Sequence, residues 1–121
     1  MILIVDDEKT IRQLVASILK RAGYDVVAVS SAREALDVLS GHTPELLLTD
    51  IVMPEMNGLA LAATAHHLHY GVPVMFMSGF ASNYEEELSG SVCLRKPFTP
   101  GQLLTAVQDV LALRKSNGGA A

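Results

Sequence analysis

Ile2-Leu3-Ile4-Val5-Asp6-Asp7-Glu8 joins four consecutive aliphatic residues directly to three consecutive acids. An apolar run without polar alternation suits a strand buried on both faces, as in a parallel sheet, rather than a strand with one wet face. Leu46-Leu47-Leu48 repeats the pattern and leads through Thr49 to Asp50. Further apolar runs stand at 26–29, 72–77 and 92–94. Segments of helical period separate the runs. In the first, Ile11, Leu14, Val15, Ile18 and Leu19 recur along one helix face, and Gly23 stands where a C-terminal cap belongs. Ser31-Ala32-Arg33-Glu34 has capping-box form and opens a helix expected to bury Ala35, Leu36 and Leu39. Asn57-Gly58 opens a third helix that runs to about His69, before Gly71 stops it. Residues 82–88 form a short acidic fourth helix with few apolar residues. Thr99 caps a fifth, with Pro100 at its first position and an apolar stripe of Leu103, Leu104, Val107, Val110 and Leu111.

Alternating strand and helix imply right-handed crossovers and a doubly wound α/β fold, a parallel sheet with helices on both faces. In such folds chemistry collects in the crevice at the carboxyl ends of the strands. The 121 residues suit one domain, and 50% are hydrophobic, ample for a core and unlike a disordered chain. No apolar stretch reaches the roughly 18–20 residues of a membrane span. Met1 leads into an apolar run with no basic n-region, so no signal peptide is expected. A net charge of −4 argues against a nucleic-acid-binding face. The lone Cys93 has no internal disulfide partner, which suits a reducing cytoplasm. The expectation is a cytoplasmic protein with no membrane insertion.

Each strand end carries polar residues. The first ends in Asp6-Asp7-Glu8, the third in Asp50, the fourth in Ser78-Gly79 and the fifth in Arg95-Lys96-Pro97. Taken singly, each has an ordinary explanation. Acids favour a helix N-terminus, Asp is common in turns, Ser caps helices and Lys decorates loops. Four separate loops delivering carboxylates, a hydroxyl and an ammonium to one sheet edge point instead to phosphoryl chemistry. Crowded carboxylates repel unless a hard dication sits among them, and oxygen ligands with open positions suit Mg²⁺. Lys96 would add a second cation, and the Ser78 hydroxyl would donate to a phosphate oxygen. Asp50 is left as the carboxylate nucleophile.

Asp6-Asp7, Asp50 with Met53-Pro54-Glu55-Met56-Asn57-Gly58, Ser78-Gly79 and Lys96-Pro97-Phe98, in this order along the chain, resemble the receiver domain of bacterial response regulators. The resemblance implies a flavodoxin-like (βα)5 fold of sheet order 2-1-3-4-5 over residues 1–115, with 116–121 left as a disordered tail. It implies a phosphoryl group received on Asp50 from a histidine kinase or histidine phosphotransfer protein. Asp7, Asp50 and the Val52 carbonyl would bind Mg²⁺, with Asp6 assisting directly or through water. Ser78 would be the switch hydroxyl and Lys96 the phosphate-pairing lysine, followed by a cis Lys96-Pro97 bond, a form tolerated before proline. Such a domain is a signalling protein more than a conventional enzyme. It catalyses its own phosphorylation and dephosphorylation, and acts as a monomer or a phosphorylation-dependent dimer on a downstream protein not named by its sequence. The partner surface is expected around segments 82–88 and 92–94 and the helix that starts at Pro100. A stand-alone regulator is favoured over a receiver belonging to a hybrid kinase.

A phosphorylation-independent binding module of the same fold would have no need of Asp7, Asp50, Ser78 and Lys96 together. A flavodoxin would need a glycine- or hydroxyl-rich phosphate cradle after the first strand, where this chain has Asp6-Asp7-Glu8-Lys9-Thr10. An aspartate-nucleophile phosphatase would need Asp-x-Asp-x-Thr there. His66, His67 and His69 are expected on a solvated helix face and Glu85-Glu86-Glu87 on another. The chain departs from the family at Cys93, where many receivers place an aromatic switch residue. Phe80 could supply bulk by another route. Val52 and Phe80, each two residues beyond a site residue, would border the path of the attacking water, and neither can orient it. Slow autodephosphorylation is therefore expected. Phe80→Ala should shorten the phosphoryl lifetime relative to wild type, and an unchanged or longer lifetime counts against this.

Overall fold

The first strand, β1 (Ile2–Val5), pairs in parallel with β2 (Val26–Val29) on one side and β3 (Leu46–Asp50) on the other. Beyond β3 lie β4 (Val74–Ser78) and β5 (Val92–Arg95), so the all-parallel sheet runs β2-β1-β3-β4-β5. The computed structural model describes residues 1–69, 71–79 and 91–120, with side chains through Leu113. Four helices are described: α1 (Lys9–Arg21), α2 (Ala32–Leu39), α3 (Gly58–Leu68) and α4 (Pro100–Ala120). The helix expected at 82–88, with Phe80 and Glu85-Glu86-Glu87, lies outside the described residues. The backbone of α4 continues through 116–120, where the sequence pattern suggests a tail.

Strand alternation sorts the core into two layers. Leu3, Val5 and Leu47 face Ala35 and Leu39 of α2 and Leu61 and Ala65 of α3. Ile2, Ile4, Leu46, Leu48, Met75 and Met77 face Val15 and Leu19 of α1 and Leu103 and Val107 of α4. Both faces of β1 and β3 are thus covered, and every residue of the two strands is buried. Such burial accounts for their unbroken apolar runs. The outer strands differ: β2 and β5 lie at the sheet edges, and Val27 and Val92 are exposed. Among the described helices, none is long and apolar enough to cross a membrane.

Helix ends follow the local chemistry. The chain leaves α1 through Gly23 at φ 96°, with Gly23 N–H donating to the Lys20 carbonyl (3.0 Å) and Tyr24 N–H to that of Leu19 (3.0 Å). This pair of bonds is a Schellman cap, and a positive φ favours glycine. Ser31 Oγ accepts from Glu34 N–H at 3.1 Å, but the Glu34 carboxylate takes the Ser30 hydroxyl (2.6 Å), leaving the expected box half made. Ahead of α4 the box is complete: Gln102 N–H donates to Thr99 Oγ1 (3.1 Å) and Thr99 N–H to Gln102 Oε1 (2.9 Å). The α1 stripe is narrower than its periodicity suggests. Val15 and Leu19 are buried, whereas Leu14 is 46% exposed and lies outside the apolar layer that α1 shares with the sheet and α4. Thr99→Ala should destabilise the fold by about 1 kcal/mol, read as a lower urea midpoint at unchanged slope.

Candidate functional site

Asp6 is the first residue past β1 and is fully buried. Its polar groups are all engaged. The N–H donates to the Val29 carbonyl (3.2 Å), and the carbonyl accepts from Arg12 Nη1 (2.9 Å). Oδ1 accepts from Glu8 N–H (2.9 Å), and Oδ2 accepts from Lys96 Nζ (3.0 Å). A charge is tolerated at such depth only with this degree of satisfaction. Asp50, the last residue of β3, is 7% exposed. Its Oδ1 accepts from Ile51 N–H (2.9 Å) and its Oδ2 from Lys96 Nζ (3.3 Å). Lys96 follows β5, and its N–H donates to the Ser78 carbonyl (3.1 Å), so strand pairing carries it to the two acids. The Lys96-Pro97 peptide is cis. Asp7 is exposed at the rim. Ligand-capable oxygens of Asp6, Asp7 and Asp50 all lie within 4.8 Å of one another.

Burial pushes the Asp50 carboxyl above the usual carboxylate range; Lys96 pulls it down, Asp6 pushes it up, and the net shift is upward. Ionised Asp50 therefore weakens the folded state. The penalty grows as pH rises through the unfolded value and is complete above the raised folded one. For Lys96, burial opposes the charge, but its hydrogen bond to Asp6 and the charges of Asp50 and Asp6 outweigh this, and its pKa is raised. Three carboxylates against one bound ammonium leave negative charge uncompensated. Clustered hard oxygen donors, one of them at the solvent rim, fit Mg²⁺.

Ser78 ends β4 and is buried. Val52, two residues beyond Asp50, is 45% exposed. Cys93 pairs in register with Phe76 and packs beside it and Ile51. Burial raises its thiol pKa, with Arg95 lowering and Asp50 raising it. Phe80, expected to supply bulk by another route, lies outside the described residues. His69 does not share a solvated face with His66 and His67: its Nε2 lies 2.6 Å from the Leu39 carbonyl and its Nδ1 3.0 Å from Thr43 Oγ1. A neutral ring protonated on Nε2 satisfies both, tying the end of α3 to the end of α2.

Two contributors escape a reading by residue type. Gly58 was expected to open α3 and to belong to the motif that follows Asp50; in addition its N–H donates to the Ile51 carbonyl (2.8 Å), and a Cβ there would overlap the Asp50 carbonyl oxygen and sit 3.1 Å from Ile51 Cα. Glycine is thus required for the loop to fold back against the strand end. The Thr49 hydroxyl donates to the Asp50 carbonyl (2.9 Å) from a fully buried position. Asn57-Gly58 carried the first signal; nothing about Thr49 in an apolar run marked the second.

A doubly wound sheet with aspartates just past strand one, an aspartate ending strand three and a lysine past strand five defines the receiver class of two-component signalling domains. The sequence profile of the response regulator receiver domain matches residues 2–108, and the chain belongs to that family. It is 33% identical over 114 residues to the response regulator receiver protein CpdR of Brucella abortus, covering 91% of this chain and 95% of that one. It is 32% identical to the sensor kinase CckA of the same organism over 91% of this chain but 12% of the kinase. The chain spans about half the length of other curated relatives, 48% of one and 52% of another. A CheY-like receiver domain structure from Methanospirillum hungatei superimposes with a TM-score of 0.88 at 31% identity, over 96% of both chains. Phosphoryl acceptance is the general function of this family. Its members generally bind Mg²⁺ at an acidic pocket and interact with histidine kinases or phosphotransfer proteins.

Gly58→Ala should destabilise the protein by roughly 1–3 kcal/mol, the usual range for overpacking, despite a helix-propensity gain of about 1 kcal/mol. Displacing the Asp50–Ile51 backbone should also weaken Mg²⁺ binding. Urea unfolding and Mg²⁺ titration of the folded variant measure the two effects.

Proposed function

We propose that Asp50 is the phosphoacceptor of this chain and that a phosphohistidine on a kinase or phosphotransfer protein is the donor. The observation that carries the proposal is the junction of Asp6, Asp50 and Lys96, in which one ammonium hydrogen-bonds two buried carboxylates at the carboxyl edge of the sheet. An Asp50 carboxylate oxygen attacks phosphorus. The new O–P bond forms as the N–P bond breaks, and the imidazole departs with that electron pair. Asp7, Asp50 and the Val52 carbonyl would hold Mg²⁺, with Asp6 contributing directly or through water. The bound ion supplies positive charge to the phosphoryl oxygens. Lys96 pairs with one of those oxygens, and the Ser78 hydroxyl donates to another. Both act as preorganised donors, because strand pairing and burial already hold them at the edge.

Phosphorylation then biases a two-state equilibrium and changes partner binding. Cys93 stands where an aromatic ring commonly reports the switch, and its packing against Phe76 and Ile51 supports a route through close-packed small volume. Val52, apolar and exposed beside Asp50, supports slow hydrolysis of the acyl phosphate. The protein would act in the cytoplasm as a monomer or phosphorylation-dependent dimer on a downstream protein. The likeness to CpdR supports a stand-alone regulator, and the likeness to CckA supports a receiver within a hybrid kinase. The size of the native protein in source cells separates the two. Incubation with Mg²⁺ and a small phosphodonor should add one phosphoryl group by intact mass. The addition should be lost in EDTA and in Asp50→Asn. Absence of the adduct in wild type, or its persistence in Asp50→Asn, overturns the assignment.

A further inference from the structure

Arg12 lies on α1, outside the set of carboxylates, hydroxyl and lysine assigned above. Its Nη1 donates at 2.9 Å to the main-chain carbonyl of Asp6. That carbonyl stands at a place where the sheet runs out. Asp6 N–H still reaches Val29, but β2 ends at that residue, and the Asp6 carbonyl takes its bond from a side chain instead. The other polar atoms of Asp6 are held by Glu8 N–H and Lys96 Nζ. The Asp6–Asp7 peptide therefore leaves the strand in an orientation set by Arg12, and the exposed Asp7 starts from that peptide. No other interaction described for these two residues fixes the plane of this peptide from the α1 side.

We propose that Arg12 is a positioning residue for the dication site, holding the Asp6–Asp7 peptide so that the Asp7 carboxylate meets those of Asp6 and Asp50. The inference rests on the proposed Mg²⁺ site and concerns a residue that never touches the ion. Two effects of Arg12 on the ion have opposite signs, which makes the role separable. As a nearby positive charge, Arg12 repels a dication, so its removal by Coulomb effects alone would tighten binding. As an anchor of a ligand-bearing turn, its removal would loosen binding, and losses of outer-contact groups at metal sites typically cost 10- to 100-fold in affinity.

The test is Mg²⁺ titration of the full chain by calorimetry, for wild type, Arg12→Met, Arg12→Lys and Asp50→Asn, with thermal melts in EDTA to establish that each is folded. Arg12→Met should bind Mg²⁺ roughly 10-fold more weakly than wild type. Arg12→Lys, which restores a charged donor, should recover most of the loss. A half-exposed helix position tolerates both, and Arg12→Gln, neutral and too short to reach the carbonyl, replaces Met should that variant not fold. Unchanged or tighter binding in the neutral variant overturns the positioning role while leaving the metal site standing. Wild type that binds no Mg²⁺, or Asp50→Asn that binds as tightly as wild type, overturns the metal site and this inference with it.

Discussion

Lys96 hydrogen-bonds Asp6 and Asp50 at once, and the carboxyl edge of the sheet is arranged around that shared ammonium. Two carboxylates buried to this depth, with a third within 4.8 Å, would repel strongly in a medium of low dielectric. One ammonium offsets part of that repulsion and leaves an excess of negative charge facing the solvent rim. The excess persists because the backbone will not let the acids separate. Strand pairing holds β1, β3 and β5 in register beneath them, and buried apolar layers on both faces hold the strands. Hydrophobic burial far from the edge thus maintains an electrostatic imbalance at the edge. Stored repulsion of this kind attracts cations, and a site that supplies cations can accept a phosphoryl group.

Second contacts confine the geometry. Asp50 is bounded by Thr49 at its carbonyl, by Ile51 N–H at its side chain and by Gly58, whose missing side chain lets the following loop return. Asp6 is bounded by Arg12, Glu8 and Val29. The same loop holds Glu55 at φ 69°, a left-handed conformation that non-glycine residues seldom adopt. A strained residue, a forced glycine and an exposed Val52 within seven positions show how tightly that connection is drawn over the strand end.

Most of the architecture was legible in the chain because burial on two faces writes itself into composition. Ile2–Val5 and Leu46–Leu48 read as parallel strands buried on both faces because nothing polar interrupts the runs, and β1 and β3 are buried throughout. The edge strands β2 and β5 were equally visible as runs, but their exposed Val27 and Val92 show that a run alone does not report which face is covered. Leu14 carries the same lesson on α1: helical period places it near the stripe, while the position of the sheet leaves it outside. His69 reversed its reading because its partners, Leu39 and Thr43, belong to other segments of the chain.

The lysine–aspartate junction separates the two sources of information. The residue order was enough to say which chemical groups arrive at the edge, since four of the five apolar runs lead into a site residue and alternation of strand and helix sends all those ends the same way. Tertiary structure alone decided that Lys96 bridges Asp6 and Asp50, that Asp6 is sealed while Asp7 faces solvent, and that Gly58 and Arg12 shape the turns behind them. The reason is physical. Periodicity records a residue's average environment along its own element, whereas hydrogen bonds between residues 46 or 90 positions apart depend on packing that no local pattern encodes.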